Sequence, residues 1–393
     1  MLLADLVDAN AELRRGGKPS MLRIIAALLL WAVAAASAAA QSAPSPCSGG
    51  LVYFGSTAQA PEQGVYGARF DARTGRLCPL GRSATVNQAT WMTPHPTMPV
   101  LYATSQAAGV SDPSVFAYRV DAATGALSPI NAAASAGAGP THISVDGPSS
   151  TLFAAHWNSG HVSAMPVRAD GGLEPATSVQ AGEASTRTSR AHAVELDPSR
   201  RFAVAAEFGL DRLRLFRFDP RTRRLTPSQA VSLPEGSGPR HFVFHRNGKL
   251  FYLLNEITSE VRVYRWDAAA GALQLEQAVP TLPPGFQGSN KSAGIVITPD
   301  ARHLYVSNRG EDAIVAYAVD PASGRLSEVQ RIGSGGKVPR DFALDPTGRW
   351  MLVANQDSDT VAVFARDPAT GKLTSTGQGM ATPRPVVVTF IGR

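Results

Sequence analysis

Asp320-Pro-Ala-Ser-Gly324-Arg-Leu326 is the stretch that decides the fold, because it recurs. The same outline (Asp, a short turn, Gly, then Leu) stands at Asp71–Leu77, Asp121–Leu127, Asp267–Leu273 and Asp367–Leu373. A shorter copy is Asp170-Gly-Gly-Leu173, and a copy without Gly runs Asp219–Leu225. The seven copies follow one another at about 49 residues. Asp before Thr-Gly or Ala-Gly is a turn signal, since Gly tolerates positive φ. Ahead of each turn lies a segment rich in β-branched and aromatic residues, such as Val115–Val120, Leu213–Phe218 or Val361–Phe364. Such segments read as strands. Two more strands precede each of these, for example Phe242–Phe244 and, in another copy, Leu304–Ser307, with a turn between the two such as Asp345–Gly348.

Four strands per repeat and seven repeats predict an all-β fold, a seven-bladed β-propeller with four-stranded blades. A parallel β-helix uses shorter rungs, and no long amphipathic helix is visible. The ends predict closure. Val386–Phe390 reads as an inner strand with nothing after it. Leu51–Phe54 and Val65–Phe70 read as second and third strands with no inner strand before them. The last blade is therefore expected to be shared between residues 50–82 and 383–393, which leaves no open sheet edge in the ring.

The chain has 393 residues. Arg23, the apolar run Ile24–Val33 and Ala38-Ala39-Ala40 before Gln41 have the layout of a secretory leader beginning at Met21. The expected division is residues 1–40 as upstream segment and leader and 41–393 as one domain, periplasmic or secreted. The apolar run is short for a bilayer span, and no other segment is long and apolar enough to cross one. In an oxidising compartment Cys47 and Cys78 are able to pair, but sequence leaves the pairing open. The net charge is +6, with basic residues scattered along the chain. No run of five Lys or Arg appears, so nucleic acid is not expected as a partner. The expected state is a monomer.

A repeat lets one sequence be aligned with itself. Counting five residues back from the end of each inner strand gives Thr90, Thr141, His192, Arg240, Ala293, Arg340 and Arg384, with His142 and His241 beside two of them. Inner strands line a propeller's channel, so these residues are expected at one channel mouth as a cationic funnel. Second strands end near the same mouth at Asn255-Glu256, Asn308-Arg309 and Asn355-Gln356. Asn255 and Asn308 are candidate substrate contacts, although a repeated Asn also fits a backbone-bonding turn role. Glu256 and Arg309 replace one another at one position, so the blade does not demand their charges. Arg240 and Arg340 also fit carbonyl capping or a structural ion pair. No zinc-protease, serine-hydrolase or EF-hand motif is present, and Arg331–Val338 lacks the Ser/Thr of a phosphate loop.

Ser237-Gly-Pro-Arg-His241, Leu254-Asn-Glu256, Ile297–Arg309 and Val338-Pro-Arg-Asp-Phe342 resemble the seven-bladed propeller lactonase family over residues 50–393. That family includes propeller-type 6-phosphogluconolactonases and carboxy-cis,cis-muconate cycloisomerases. The resemblance implies a site of His192, Arg240, Glu256 and Arg309, with His142, His241, Arg340, Arg384, Asn255 and Asn308 around a small anionic lactone. It implies no metal and no cofactor. Departures from the family pattern are Arg190-Ala-His192 for His-x-His, Gly294 for an acid, and Ala155-His156-Trp157 for Ala-Asn-Tyr. A non-catalytic binding propeller and a lactone-forming cycloisomerase are the alternatives to a hydrolase.

Overall fold

The computed structural model describes residues 48–112, 114–182 and 185–392. The proposed leader and Cys47 lie outside the described residues. Among the described residues the strands form seven four-stranded sheets. Their inner strands are Met92–Pro94, Pro140–Asp146, Ala191–Leu196, Pro239–Phe244, Lys291–Ile297, Pro339–Leu344 and Pro385–Ile391. We number the first six sheets as blades 1–6 in that order. The closing blade sets Pro385–Ile391 against Gly50–Ser56, then Val65–Asp71 and Arg76–Ala84. Its seam is antiparallel, with Val52 opposite Phe390 and Phe54 opposite Val388. This is the seven-bladed β-propeller read from the repeat. Among the described residues no helix is long and apolar enough to cross a membrane. Cys78 is disulfide-bonded.

The repeated turn explains how blades hold one another. In Asp320–Leu326, Asp320 Oδ1 accepts from the amides of Ala322 and Ser323 at 3.2 and 2.7 Å. The Gly324 amide returns to the Asp320 carbonyl at 2.8 Å. Gly324 sits at φ +75°, and a Cβ there would collide with Leu250 of the preceding blade. That leaves its carbonyl facing the same blade, where Tyr252 Oη donates to it at 3.0 Å. The bond recurs as Tyr53 to Gly125 at 2.8 Å, Tyr102 to Gly171 at 2.9 Å and Tyr305 to Gly371 at 2.6 Å. All four tyrosines are fully buried. The Leu that ends the turn enters the apolar layer between blades: Leu326 packs with Leu250 and Tyr252, and Leu127 with Leu51 and Tyr53. Seven such layers lie between the seven pairs of neighbouring blades.

Tyr252→Phe leaves the buried Gly324 carbonyl unpaired, and we expect a loss of about 1–2 kcal/mol in denaturant unfolding. Gly324→Ala adds both a positive-φ penalty and a steric collision, so it is expected to cost about 2 kcal/mol or more. Equal midpoints for Tyr252→Phe and wild type would remove the inter-blade bond from this account.

Candidate active site

The site is built on a bulge that repeats around the ring. Pairing between inner and second strands slips between Pro140 and His142, between Ala191 and Ala193, between Pro239 and His241, and between Pro339 and Asp341. The residues left unpaired are Thr141, His192, Arg240 and Arg340. A bulge re-aims its side chain away from the sheet's alternation. All four line one cavity of about 400 Å³. Just before the bulge the chain passes through a left-handed residue, Gly139 at φ +63°, Gly238 at +60° and Val338 at +57°. A β-branched residue is unfavourable there, so Val338 marks strain at the mouth.

One backbone bond fixes which residues are equivalent. It runs from Gln106 N to Gln88 O, Trp157 N to Gly139 O, Glu256 N to Gly238 O, Gln356 N to Val338 O and Thr57 N to Arg384 O. Arg384 thus occupies the place of Gly238, and Val386 the place expected for Arg384. The closing inner strand runs to Ile391, two residues beyond Thr389, the position from which the five-residue count reaches Arg384. Arg384 stays exposed and pairs with Asp357 at 3.1 Å. It is not a wall of the cavity.

His192, Arg240, Glu256, Arg309 and Arg340 do come together in that cavity. Glu256 Oε2 pairs with both Arg240 Nε at 3.0 Å and Arg309 Nη2 at 2.8 Å. Among the described residues no hydrogen bond from either guanidinium reaches Oε1. Arg240 also donates to the Ala293 carbonyl at 2.6 Å and to His241 Nδ1 at 3.1 Å. Arg340 donates no hydrogen bond and forms no ion pair among the described residues, although it lines the same space. Burial, then the Arg309 charge, lowers Arg240 to about 9 and Arg340 to about 10. Both remain cations at neutral pH. Burial, then Arg240 and Arg340, holds His192 well below its ordinary value, so its ring is neutral.

Other candidates fall elsewhere. His142 and His241 stand one layer deeper, on a separate axial cavity. Asn255 and Asn308 are fully buried inside their blades. Asn308 Nδ2 donates to the Thr281 carbonyl at 2.6 Å, and Asn255 Nδ2 to Glu260 at 3.0 Å. They hold blade ends and do not reach the cavity. Sequence reasoning missed Gln88, Gln106, Trp157, Asn158 and Lys291 on the cavity wall. The alignment that equates Glu256 with Arg309 would have found Gln106 and Trp157 if carried through every blade. Trp157 meets His192 edge to face at 5.4 Å, and the Arg190 guanidinium lies 4.8 Å from its ring centre. Asp341 was missed too. It is buried beneath Arg240 and Arg340 and accepts from the Val388 amide at 3.1 Å.

A ring of seven sheets with a buried carboxylate clamped by two guanidiniums, a neutral His and an unpaired Arg at one channel mouth defines a propeller with an ionic small-molecule site. The profile described as "Lactonase, 7-bladed beta-propeller" matches residues 51–390, and the chain belongs to that family. It is 33% identical over 214 residues to the 6-phosphogluconolactonase of Bacillus subtilis, across 53% of this chain and 61% of that protein. It is 34% identical over 196 residues to that of Pectobacterium carotovorum, across 49% and 57%. The matched stretch therefore spans about 60% of these relatives' length. Among solved structures it is similar to the periplasmic gluconolactonase of Pseudomonas aeruginosa, with 32% identity, a TM-score of 0.81 and coverage of 87% and 99%. A protein from Lactobacillus plantarum gives 27% identity, a TM-score of 0.81 and coverage of 88% and 100%. The likeness to muconate cycloisomerases read in the sequence finds no support in these relatives.

Burial raises Asp341 from 3.8 to about 6. A carboxyl whose folded value is raised stabilises the fold fully below its unfolded value, and that contribution is lost as pH rises through the folded one. Asp341→Asn keeps an acceptor for the Val388 amide and cannot ionise. The melting-temperature difference between variant and wild type is therefore expected to move in the variant's favour from pH 4 to pH 7.5. A difference independent of pH would contradict the burial argument.

Proposed function

We propose that this chain is a lactone hydrolase acting on a sugar lactone that carries an anionic group, in the manner of a 6-phosphogluconolactonase. The observation that carries the reading is the pairing of a clamped Glu256 with an unpaired, cavity-facing Arg340. A half-buried cation that faces a cavity without a protein partner attracts an anion, and Lys291 on the same wall adds a second positive charge. Gln88, Gln106, Thr141 and Asn158 furnish amides and a hydroxyl on the other side. That half suits a polyhydroxylated ring, since each hydroxyl needs a donor or acceptor when it leaves water.

In the proposed reaction Glu256 Oε1 orients a water and His192 takes its proton as the water adds to the lactone carbonyl. A neutral imidazole is the form able to accept that proton. Arg240 and Arg309 face the negative charge that develops on the carbonyl oxygen, where fixed donors in a site shielded from water are most effective. The ring C–O bond then breaks, and the leaving alkoxide oxygen takes back the proton that His192 holds. The product hydroxy acid ionises and releases one proton. The scheme calls on no metal or cofactor.

The test is acid release from 6-phosphogluconolactone and from neutral gluconolactone, followed with a pH indicator. His192→Ala and Glu256→Gln are expected to lower kcat by about 10²–10⁴-fold. Arg340→Ala is expected to lower kcat/KM for the phosphorylated lactone on the order of 30-fold or more and to leave the neutral lactone nearly unchanged. Binding of either lactone without turnover would favour the non-catalytic propeller instead.

We also propose export, with residues 21–40 as the leader. The 32% identity to a periplasmic gluconolactonase supports it. N-terminal sequencing of protein recovered from the periplasm should begin at Gln41. Cytosolic protein that keeps Met1 or Met21 would overturn export.

A further inference from the structure

Arg240 and Arg340 each follow a proline, and each proline follows a left-handed residue, in Gly238-Pro239-Arg240 and Val338-Pro339-Arg340. Both polar groups of that left-handed residue are gripped. The Gly238 carbonyl accepts from the Glu256 amide at 2.8 Å, and the Val338 carbonyl from the Gln356 amide at 3.0 Å. The amides are taken by acids of the preceding blade. Asp211 Oδ1 accepts from the Gly238 amide at 2.7 Å, and Asp312 Oδ1 from the Val338 amide at 2.8 Å. The closing blade repeats the device: Asp359 Oδ1 accepts from the Arg384 amide at 2.8 Å. The residue aimed there is Val386, which is not a wall of the mouth cavity.

The three acids are built alike. Asp211, Asp312 and Asp359 are themselves left-handed, at φ +48°, +56° and +53°, in the turn between the second and third strands of their blades. Asp tolerates that region because its side chain is short and polar. Their carbonyls accept from the Leu233, Ser334 and Thr382 amides at 2.8, 2.8 and 2.9 Å, which ties each turn to the end of its own blade's outer strand. Neither Asp211 nor Asp312 lines the mouth cavity. Each is fixed to one blade and holds the next blade two residues short of an arginine that does line it. The two arginines differ in what else holds them. Arg240 is bound by Glu256 at 3.0 Å and by the Ala293 carbonyl at 2.6 Å. Arg340 has no such side-chain partner among the described residues, so its place on the wall rests on its backbone.

We propose that Asp312 is the positioning residue that makes the mouth selective for an anionic lactone, by holding Val338 left-handed and thereby keeping Arg340 on the cavity wall. The proposal rests on Arg340 as the anion contact of the proposed function. Val338 is the sensitive point. A β-branched residue is disfavoured at positive φ, and a residue before proline is pushed toward extended backbone. At φ +57° Val338 runs against both preferences, and the bond from its amide to Asp312 opposes its relaxation. Pro339 has its own φ fixed at about −65°, so a turn of the Val338 backbone passes on to Arg340. Gly238 carries no such strain. Arg240 therefore depends far less on Asp211 than Arg340 does on Asp312. Asp312 Oδ2 also pairs with Lys337 at 3.1 Å, but that ammonium is largely exposed, and such pairs contribute little.

The experiment measures kcat and KM for 6-phosphogluconolactone and for neutral gluconolactone. Asp312→Ala is expected to raise KM for the phosphorylated lactone about tenfold and to leave the neutral one within about twofold of wild type. Asp312→Asn keeps the Oδ1 acceptor and is expected to match wild type. Val338→Gly adopts positive φ without strain, so adding it to Asp312→Ala should restore the selectivity. Asp359→Ala, which breaks the same bond where no cavity residue depends on it, should change neither substrate. An Asp312→Ala enzyme that keeps the wild-type ratio of the two substrates, while Arg340→Ala abolishes it, would overturn the role of Asp312 and leave the substrate reading intact. Equal losses on both lactones, not restored by Val338→Gly, would reduce Asp312 to a structural residue and overturn it too. If Arg340→Ala leaves the ratio unchanged, or wild type opens no lactone, the substrate reading falls. A crystal structure of Asp312→Ala then decides the positioning: Val338 leaving positive φ with Arg340 off the cavity wall supports it, and both unmoved overturns it.

Discussion

A blade of four strands has two faces and too little thickness to bury either alone. Each must lie against a neighbour, and the last must lie against the first. Everything else in this molecule follows from that demand for closure. The antiparallel seam between Gly50–Ser56 and Pro385–Ile391 meets it with main-chain bonds. The Asp-to-Leu turn meets it between successive blades, by presenting a carbonyl to a buried Tyr and a Leu to the apolar layer. Gly324 shows why the pattern tolerates little change. Its backbone needs positive φ, and its missing Cβ is the space that Leu250 fills.

The same architecture sets the electrostatics of the mouth. Residues at the two repeat positions that face the mouth are forced together whatever their charge, and here Arg240 and Arg340 fill one and Arg309 the other. Clustered cations withdrawn from water are costly, and a single carboxylate offsets only part of their repulsion. Glu256 binds two of them through one oxygen. Asp341 supplies charge from below, but its own burial favours the protonated form. Arg340 is left without a partner of its own. The protein thus retains an electrostatic deficit on the wall of a cavity, where a ligand is able to relieve it.

The fold was legible because its signal is repeated seven times and each copy is local. The core of the site was legible for a related reason: His192, Arg240 and Arg340 share a register, as do Glu256 and Arg309. Arg384 was misplaced because no further hairpin marks where the inner strand of the closing blade ends, and the count to it starts two residues early, at Thr389. Asn255 and Asn308 looked like site residues because they adjoin Glu256 and Arg309. In a strand, neighbours face opposite ways, so one of each pair enters the blade and the other the mouth. Asp341 gave no signal, since an isolated acid on an apolar strand reveals its place beneath Arg240 and Arg340 only once the channel is assembled.

Symmetry also explains why the chemistry is confined to one side of the ring. In most blades the scaffold asks for a left-handed residue and a bulge, and at each blade end for a buried polar group. Ser56, His156, Glu207, Asn308 and Asn355 all fill that last post, each fully buried. The bulged residue and the residue after the second strand carry no such duty, so they differ from blade to blade. Blades 3 to 6 place His192, Arg240, Glu256, Arg309 and Arg340 there, while blades 1 and 2 place Gln106, Thr141 and Trp157. A seven-fold frame thereby becomes a two-sided pocket, charged on one half and hydrogen-bonding on the other. A ligand that satisfies both halves is fixed in one orientation, which is the condition for attacking one carbonyl from one direction.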